Sequence, residues 1–144
     1  MKFGYDEIGS ATDPCDEQYR GFAPFSEPET RAMRDFFNSH PDIKVAINLH
    51  SWGNLLITPY NWDPDPQNNN LKTDPYWPVY EDLHFNSNLP PNNLFGSGIQ
   101  SIFYTANGDA TDWMLKEKRI FAVTSELGTK NRKSEVFFPT KEIQ

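Results

Sequence analysis

The periodicity of this sequence predicts an α/β fold: a mixed, mostly parallel sheet flanked by helices. Three observations carry that reading. Apolar residues recur at helical spacing in the first third of the chain, apolar runs of strand length end in polar residues, and helical and extended patterns alternate along 144 residues with no internal repeat. That length suits one domain, long enough to bury a core.

Residues 1–25 are irregular, with Gly, Pro and Asp scattered through them. Ser26-Glu27-Pro28-Glu29 has the S-x-x-E pattern of a capping box, so Ser26 is expected to open a helix, and proline is tolerated in a first turn. Met33, Phe36 and Phe37 fall on one face of it, and it should stop near Asn38-Ser39, ahead of Pro41. Ile43 to His50 reads as a strand with Ile43, Val45, Ile47 and Leu49 on one face and Ala46 and Asn48 on the other. A second apolar run, Leu55 to Thr58, stops at Pro59-Tyr60. Residues 61–75 are loop, rich in Asp, Pro and Asn. A helix follows from about Asp74 to Phe85, then a loop containing Pro90-Pro91. Ile99 to Tyr104 reads as a short strand, and Asn107-Gly108-Asp109 as a turn. Ala110 to Lys118 looks helical, and Ile120 to Glu126 reads as a buried strand.

Composition excludes some functions. With 20 acidic against 13 basic residues the formal charge is −7, which disfavours non-specific binding to nucleic acid or to an anionic membrane face. No apolar run reaches the roughly 18 residues of a transmembrane helix, so no membrane insertion is expected. Met1-Lys2 is followed by Phe3, Gly4, Tyr5, Asp6 and Glu7, which is not the apolar segment of a signal peptide, so any targeting segment would lie outside this chain. Cys15 is the single cysteine; it is either a spare thiol or the partner of a cysteine outside this sequence.

Ligands in α/β sheets bind beyond the carboxyl ends of strands. His50 ends the first predicted strand and Glu126 the last. Imidazole is a zinc ligand at neutral pH, and a carboxylate beside an activated water is a general base. Tyr104, just before the Gly-Asp turn, could donate a hydrogen bond into such a site. Each signal alone is weak: a strand-end histidine is more often structural, a strand-end glutamate more often solvated or ion-paired, and a tyrosine near a turn more often surface or core.

Their arrangement changes the odds. Pro14-Cys15-Asp16-Glu17-Gln18-Tyr19-Arg20-Gly21, Phe25-Ser26-Glu27-Pro28-Glu29, Ile47-Asn48-Leu49-His50-Ser51-Trp52, Leu55-Leu56-Ile57-Thr58-Pro59-Tyr60, Tyr104-Thr105-Ala106-Asn107-Gly108-Asp109-Ala110-Thr111-Asp112-Trp113, Phe121-Ala122-Val123-Thr124-Ser125-Glu126-Leu127 and Phe137-Phe138-Pro139 follow one another in the order of similar segments in the metallocarboxypeptidases of the carboxypeptidase A type. The chain resembles the C-terminal half of that family's catalytic domain. The resemblance runs through most of the sequence from about residue 12, and the intervals from His50 to Tyr104 and from Tyr104 to Glu126 also look like the family's.

The resemblance implies a zinc enzyme that removes C-terminal residues from peptides and proteins. His50 would be a zinc ligand, one of a His₂Glu set. Glu126 would take a proton from the attacking water and pass it to the leaving amine. Tyr104 would close over the substrate's C-terminal carboxylate, and Ser51 and Trp52 would line the neighbouring subsite. Ile99, Ala106, Thr111 and Thr124 would line the specificity pocket. Basic-specific relatives carry an acid at the position of Thr111 and apolar-specific ones an aliphatic residue; threonine leans toward apolar or aromatic C-terminal residues. The family's cis peptides would fall at Ser51-Trp52 and Pro59-Tyr60. A secreted or extracellular location is favoured by the resemblance alone.

The pattern also breaks. The family's other two zinc ligands come from an upstream H-x-x-E motif, and none of His40, His50 and His84 has Glu three residues later. Arg20, Arg31, Arg34, Arg119 and Arg132 do not match the motifs of the substrate-gripping arginines. Residues 1–144 therefore read as a partial catalytic domain, incomplete at both ends, that would place one Zn²⁺ with its remaining ligands outside this chain. An open sheet edge is expected, and activity of this chain alone is not. The competing reading is a catalytically inactive scaffold or interaction module. A carbohydrate-binding domain is suggested by Trp52, Trp62, Tyr76 and Trp77 among Asn and Asp, and a glycosidase-type pair by Glu126 with Asp112, although nothing in the sequence places those two together.

Overall fold

The structure, a computed structural model, describes residues 9–51, 53–65, 70–86 and 94–128. In chain order it contains α1 (Pro28–Ser39), β1 (Val45–Ser51), β2 (Leu55–Ile57), a 3-10 turn (Asn70–Thr73), α2 (Trp77–Asn86), β3 (Leu94–Gly96), the short α3 (Gly98–Ser101), α4 (Ala110–Lys118) and β4 (Phe121–Leu127). The four strands form one mixed sheet in the order β1-β4-β2-β3. The outer pairs, β1–β4 and β2–β3, are parallel, and β2–β4 is antiparallel. This is the α/β architecture that the alternating patterns predict. Trp52 and Phe137-Phe138-Pro139 lie outside the described residues.

β4 is central because it is apolar on both faces. Successive side chains of a strand point to opposite sides. Phe121 and Val123 enter one cluster with Leu56, Leu71, Tyr80 and Leu115, while Ala122 enters a second with Phe37, Trp113, Met114 and Ile120. The fully buried Tyr80 ties α2 to β4, its hydroxyl donating to the Ala122 carbonyl at 2.7 Å. Burial pushes that phenol well above its ordinary value.

α4 is the best-specified helix. The Asp109 carboxylate caps it, accepting from Thr111 N at 2.7 Å and Asp112 N at 3.4 Å, and Lys116 and Lys118 complement the dipole in its last turn. It ends at Arg119 in the left-handed region, φ 54°. That side chain reaches Asp74 at 2.9 Å.

Four boundaries differ from expectation. α1 begins at Pro28 with Glu27 at its cap; Ser26 donates to the Glu27 side chain at 2.7 Å and caps no N–H. Of the three apolar residues on its expected inner face only Phe37 is buried, Met33 and Phe36 being exposed. α2 starts at Trp77 because Asp74 captures Tyr76 N at 2.9 Å, an Asx turn that competes with helix. Ile99 to Tyr104 is not a strand: Ser97 and Gln100 form a capping box that turns Gly98–Ser101 into helix, and the extended residues are Leu94–Gly96, just upstream. In β1 the expected core face is inverted. Ala46 packs on the second cluster, while Val45, Ile47 and Leu49 are 57%, 60% and 67% exposed, and Ile43, ahead of the strand, packs with Ala46.

Candidate active site

β1 and β4 are parallel, so they finish at the same end of the sheet. Their register pairs His50 with Glu126 and Ser51 with Leu127. The two predicted chemical residues therefore leave neighbouring strands side by side, and His50 Nδ1 stands 3.9 Å from Glu126 Oε1. Their surroundings differ. The imidazole is 55% exposed and open to a ligand, whereas the carboxylate is 17% exposed. Glu126 Oε2 is buried with no hydrogen-bond partner. Burial raises the Glu126 carboxyl above the usual range, and His50 pulls it back only in part. A desolvated carboxylate with an unpaired oxygen beside an open imidazole is placed to accept a proton from a water held between them.

These two groups fit one corner of a zinc site. A neutral imidazole is a proper ligand, and the orphaned Glu126 oxygen is a place where a water would find an acceptor. A whole site does not follow from this chain, because no group of three or more His, Cys, Asp or Glu able to hold a metal occurs among the described residues.

The other candidates lie on adjoining loops. Tyr104 is 61% exposed on the segment between α3 and α4, preceded by Phe103 in the left-handed region at φ 65°. Ile99 and Ala106 are half-buried, Thr111 and Thr124 are buried, and Ser51 is half-buried at the end of β1. The Pro59-Tyr60 peptide is cis, as the resemblance implied. An open cavity of about 570 Å³ adjoins this region from the α1 side, bounded by Phe25, Phe37, Asn48, Asp109 and Trp113; His50 and Glu126 are not part of its wall.

Asn61 was not legible as a site residue, since one Asn in an Asp/Pro/Asn-rich loop carries no signal of its own. It is 3% exposed and holds the candidate loops together. Its N–H donates to both carboxylate oxygens of Asp112, at 3.0 and 2.9 Å, and Trp62 N adds 3.3 Å to one of them. Its side-chain oxygen accepts from Gly98 N at 2.7 Å and its carbonyl from Ala106 N at 2.9 Å. Its amide reaches Thr111 Oγ1 at 3.5 Å. Asp112 is fully buried; burial first, then the nearby Asp109 charge, push its carboxyl well above the ordinary range against the pull of these N–H groups.

This placement argues against two of the competing readings. The Asp112 oxygens are engaged with loop backbone, so Asp112 is not the free carboxylate that a glycosidase pair with Glu126 needs. Tyr76 and Trp77 pack against the core cluster instead of forming an open aromatic platform for a sugar.

Comparison with known proteins agrees with the residue pattern. A family model described as zinc carboxypeptidase matches residues 2–144. Carboxypeptidase B of Bos taurus is 33% identical over 146 residues, covering 98% of this chain and 33% of that protein. Carboxypeptidase A1 of Rattus norvegicus is 32% identical over 125 residues, covering 86% of this chain and 29% of its own length. The chain thus spans well under half the length of these relatives. A crystal structure of thrombin-activatable fibrinolysis inhibitor superposes with a TM-score of 0.69 at 25% identity, covering 96% of this chain and 36% of that one. The bovine form, solved in complex with a tick carboxypeptidase inhibitor, gives 0.65 at 26% identity, covering 90% and 44%.

Proposed function

The chain belongs to the zinc carboxypeptidase family, and from that premise we propose that it supplies the general-base half of a site that removes C-terminal residues from peptides and proteins. The observation that carries the proposal is the adjacency of His50 and Glu126 on paired strand ends. His50 would hold zinc through its imidazole. When bound, the ion supplies Lewis-acid polarisation and a lowered water pKa. Glu126 takes the proton of the attacking water and returns it to the departing amine. Burial makes that carboxylate a stronger proton acceptor than an exposed one, which favours the first of these tasks. Tyr104 would close over the substrate's free carboxylate, Ser51 and Trp52 would border the next residue inward, and Ile99, Ala106, Thr111 and Thr124 would receive the C-terminal side chain. Thr111 Oγ1 already donates to Asp109 Oδ1 at 2.5 Å, so its hydroxyl is engaged, and this supports an apolar or aromatic preference.

The remaining zinc ligands must come from polypeptide lying beside His50. β1 ends the sheet on that side, and Val45, Ile47 and Leu49 leave its apolar face exposed. A further strand pairing along β1 would close that edge and bring its own residues to the strand end beside His50, and an element packed on the sheet there would cover the exposed face. An extracellular setting belongs to the same proposal; no described helix is long and apolar enough to cross a membrane.

The test is zinc analysis combined with hydrolysis of a matched peptide pair, one with a free and one with a blocked C-terminus. It is run on residues 1–144 and on a longer chain that includes an upstream H-x-x-E segment. Only the longer chain should cleave, and only the free-carboxylate peptide; Glu126→Gln in that chain should retain zinc and lose turnover. Turnover surviving in that variant rejects Glu126 as the base. The second reading is an inactive scaffold of the same family. A longer chain that binds no zinc would establish it.

A further inference from the structure

We propose that Asn61 is a positioning residue of this site, closing the loop that carries Tyr104 by tying both of its ends to the base of α4. The inference rests on the carboxypeptidase reading for its functional meaning, and on hydrogen bonds alone for its geometry.

The loop in question runs from Gly98 to Ala106. At one end Gly98 N donates to the Asn61 side-chain oxygen at 2.7 Å, and at the other Ala106 N donates to the Asn61 carbonyl at 2.9 Å. Between them, Ile102 N and Phe103 N both donate to the Gly98 carbonyl, at 2.8 and 2.9 Å. The strand of chain bearing Tyr104 is therefore folded back on Gly98, and both termini of the fold meet at a single buried side chain and its own backbone. The closure is tight. A Cβ at position 98 would sit 2.8 Å from the Tyr104 carbonyl oxygen, too near for any residue but glycine. Asn61 is held in turn by the Asp112 carboxylate, which accepts its N–H at 2.9–3.0 Å from within the first turn of α4.

One residue thus fixes four segments relative to each other: the loop that follows β2, the start of α3, the Tyr104 loop and α4. Three of the four pocket candidates are bonded to Asn61 or adjoin a residue that is: Ala106 through its N–H, Thr111 through its hydroxyl, and Ile99 as the neighbour of Gly98. Alanine at position 61 would keep both backbone bonds, to Ala106 and to Asp112, and remove the side-chain acceptor for Gly98 together with the long amide contact to Thr111 Oγ1. It would therefore open the loop at one end and leave the rest of the fold in place. Aspartate would keep an acceptor in the same position.

The experiment is amide hydrogen exchange on residues 1–144, comparing the unaltered chain with Asn61→Ala and Asn61→Asp. Loss of one buried hydrogen bond should speed exchange at Gly98 about tenfold in Asn61→Ala, with a parallel rise at Phe103 to Thr105. Val123 in β4 should be unchanged, and Asn61→Asp should restore protection at Gly98. Unchanged exchange at Gly98, a rise there that does not reach 103–105, a uniform rise that includes Val123, or no rescue by aspartate overturns the proposal. Should Asn61→Ala not fold, the scalar coupling across the Gly98–Asn61 hydrogen bond in the unaltered chain decides: if it is absent, the bond does not exist in solution. In a longer, active chain Asn61→Ala should raise KM severalfold with a smaller change in kcat. A longer chain that hydrolyses nothing counts against the proposed reaction and leaves the exchange result to judge Asn61 by itself.

Discussion

Replacing Glu126 by glutamine should stabilise this protein at neutral pH. Glu126 has one carboxylate oxygen buried without a hydrogen-bond partner, and its side chain is 17% exposed. An unsatisfied buried polar atom costs about 1–3 kcal/mol, more when charged. Glutamine keeps the volume and one orphaned polar atom but removes the charge, so the gain should be about 1 kcal/mol. The pH dependence follows from the direction of the shift. Burial raises the folded-state carboxyl above its unfolded value, so the folded protein binds the proton more tightly than the unfolded chain does. Below the unfolded value, about 4.3, both states are protonated and glutamate should match glutamine. As pH rises from there through the raised folded value, the glutamate protein loses ground, and above that value the gap is constant. Urea unfolding of both proteins from about pH 4 to about pH 8 reads this as a midpoint difference that opens with pH to roughly 0.5 M. A glutamine variant that is less stable at neutral pH, or a gap that ignores pH, would refute the view of Glu126 as a desolvated base held at a cost in stability.

Three other changes should behave as follows. Tyr80→Phe removes the hydroxyl that donates to the Ala122 carbonyl in the core and should cost about 1–2 kcal/mol in urea unfolding, with no change in the sheet's circular dichroism. Arg119→Ala should cost at most about 1 kcal/mol, because the guanidinium is half exposed. Burial opposes ionisation of Asp74, but the Arg119 and Tyr76 hydrogen bonds outweigh it and hold the carboxyl below its ordinary value, so the pair's contribution is full at neutral pH and is lost as pH falls through that lowered value. Thermal melts of both proteins should therefore converge in acid. Asp109→Ala removes the cap of α4 and should cost about 1 kcal/mol, seen as faster amide exchange at Thr111 and Asp112 while Leu115 stays protected.

The sheet was legible where a strand's pattern had one dominant cause. The run Ile120 to Val123 is apolar on both faces because each face of β4 is covered, Phe121 and Val123 by the cluster around Tyr80 and Leu115, and Ile120 and Ala122 by the one around Phe37 and Trp113. α4 was legible from the Asn107-Gly108-Asp109 turn just ahead of it, and the structure adds what holds it, an Asp109 cap and a last turn with Lys116 and Lys118. Ile99 to Tyr104 misled because apolar and β-branched residues speak for a strand, while the Ser97–Gln100 capping box, a purely local device, takes the same residues into a helical turn. The face of β1 misled for a tertiary reason. Alternation identifies two faces but not which of them finds a neighbour; Ala46 meets α1 and α4, and the larger Val45, Ile47 and Leu49 meet solvent. Asn61 was illegible because its role lies in bonds to residues 37, 50 and 51 positions away.

The candidate site depends on register more than on any one contact. Parallel strands place matching ends together, but side chains alternate, so adjacency alone does not make two residues share a face. In the observed pairing Ala46 meets Ala122, Asn48 meets Thr124 and His50 meets Glu126, all on the face that carries the α1–α4 cluster. Sliding β1 by one residue would set Glu126 opposite Leu49 and turn His50 to the other side of the sheet. Slippage is opposed from within, because Ala46 is the β1 residue small enough to pack beside Ala122 under Trp113 and Met114, and a shift would drive Val45 or Ile47 into that layer. The small alanines near the start of the paired strands thus set the register that brings the imidazole and the carboxylate together at their end. Enlarging Ala122, four residues from Glu126 along β4, should separate His50 from Glu126 without touching either.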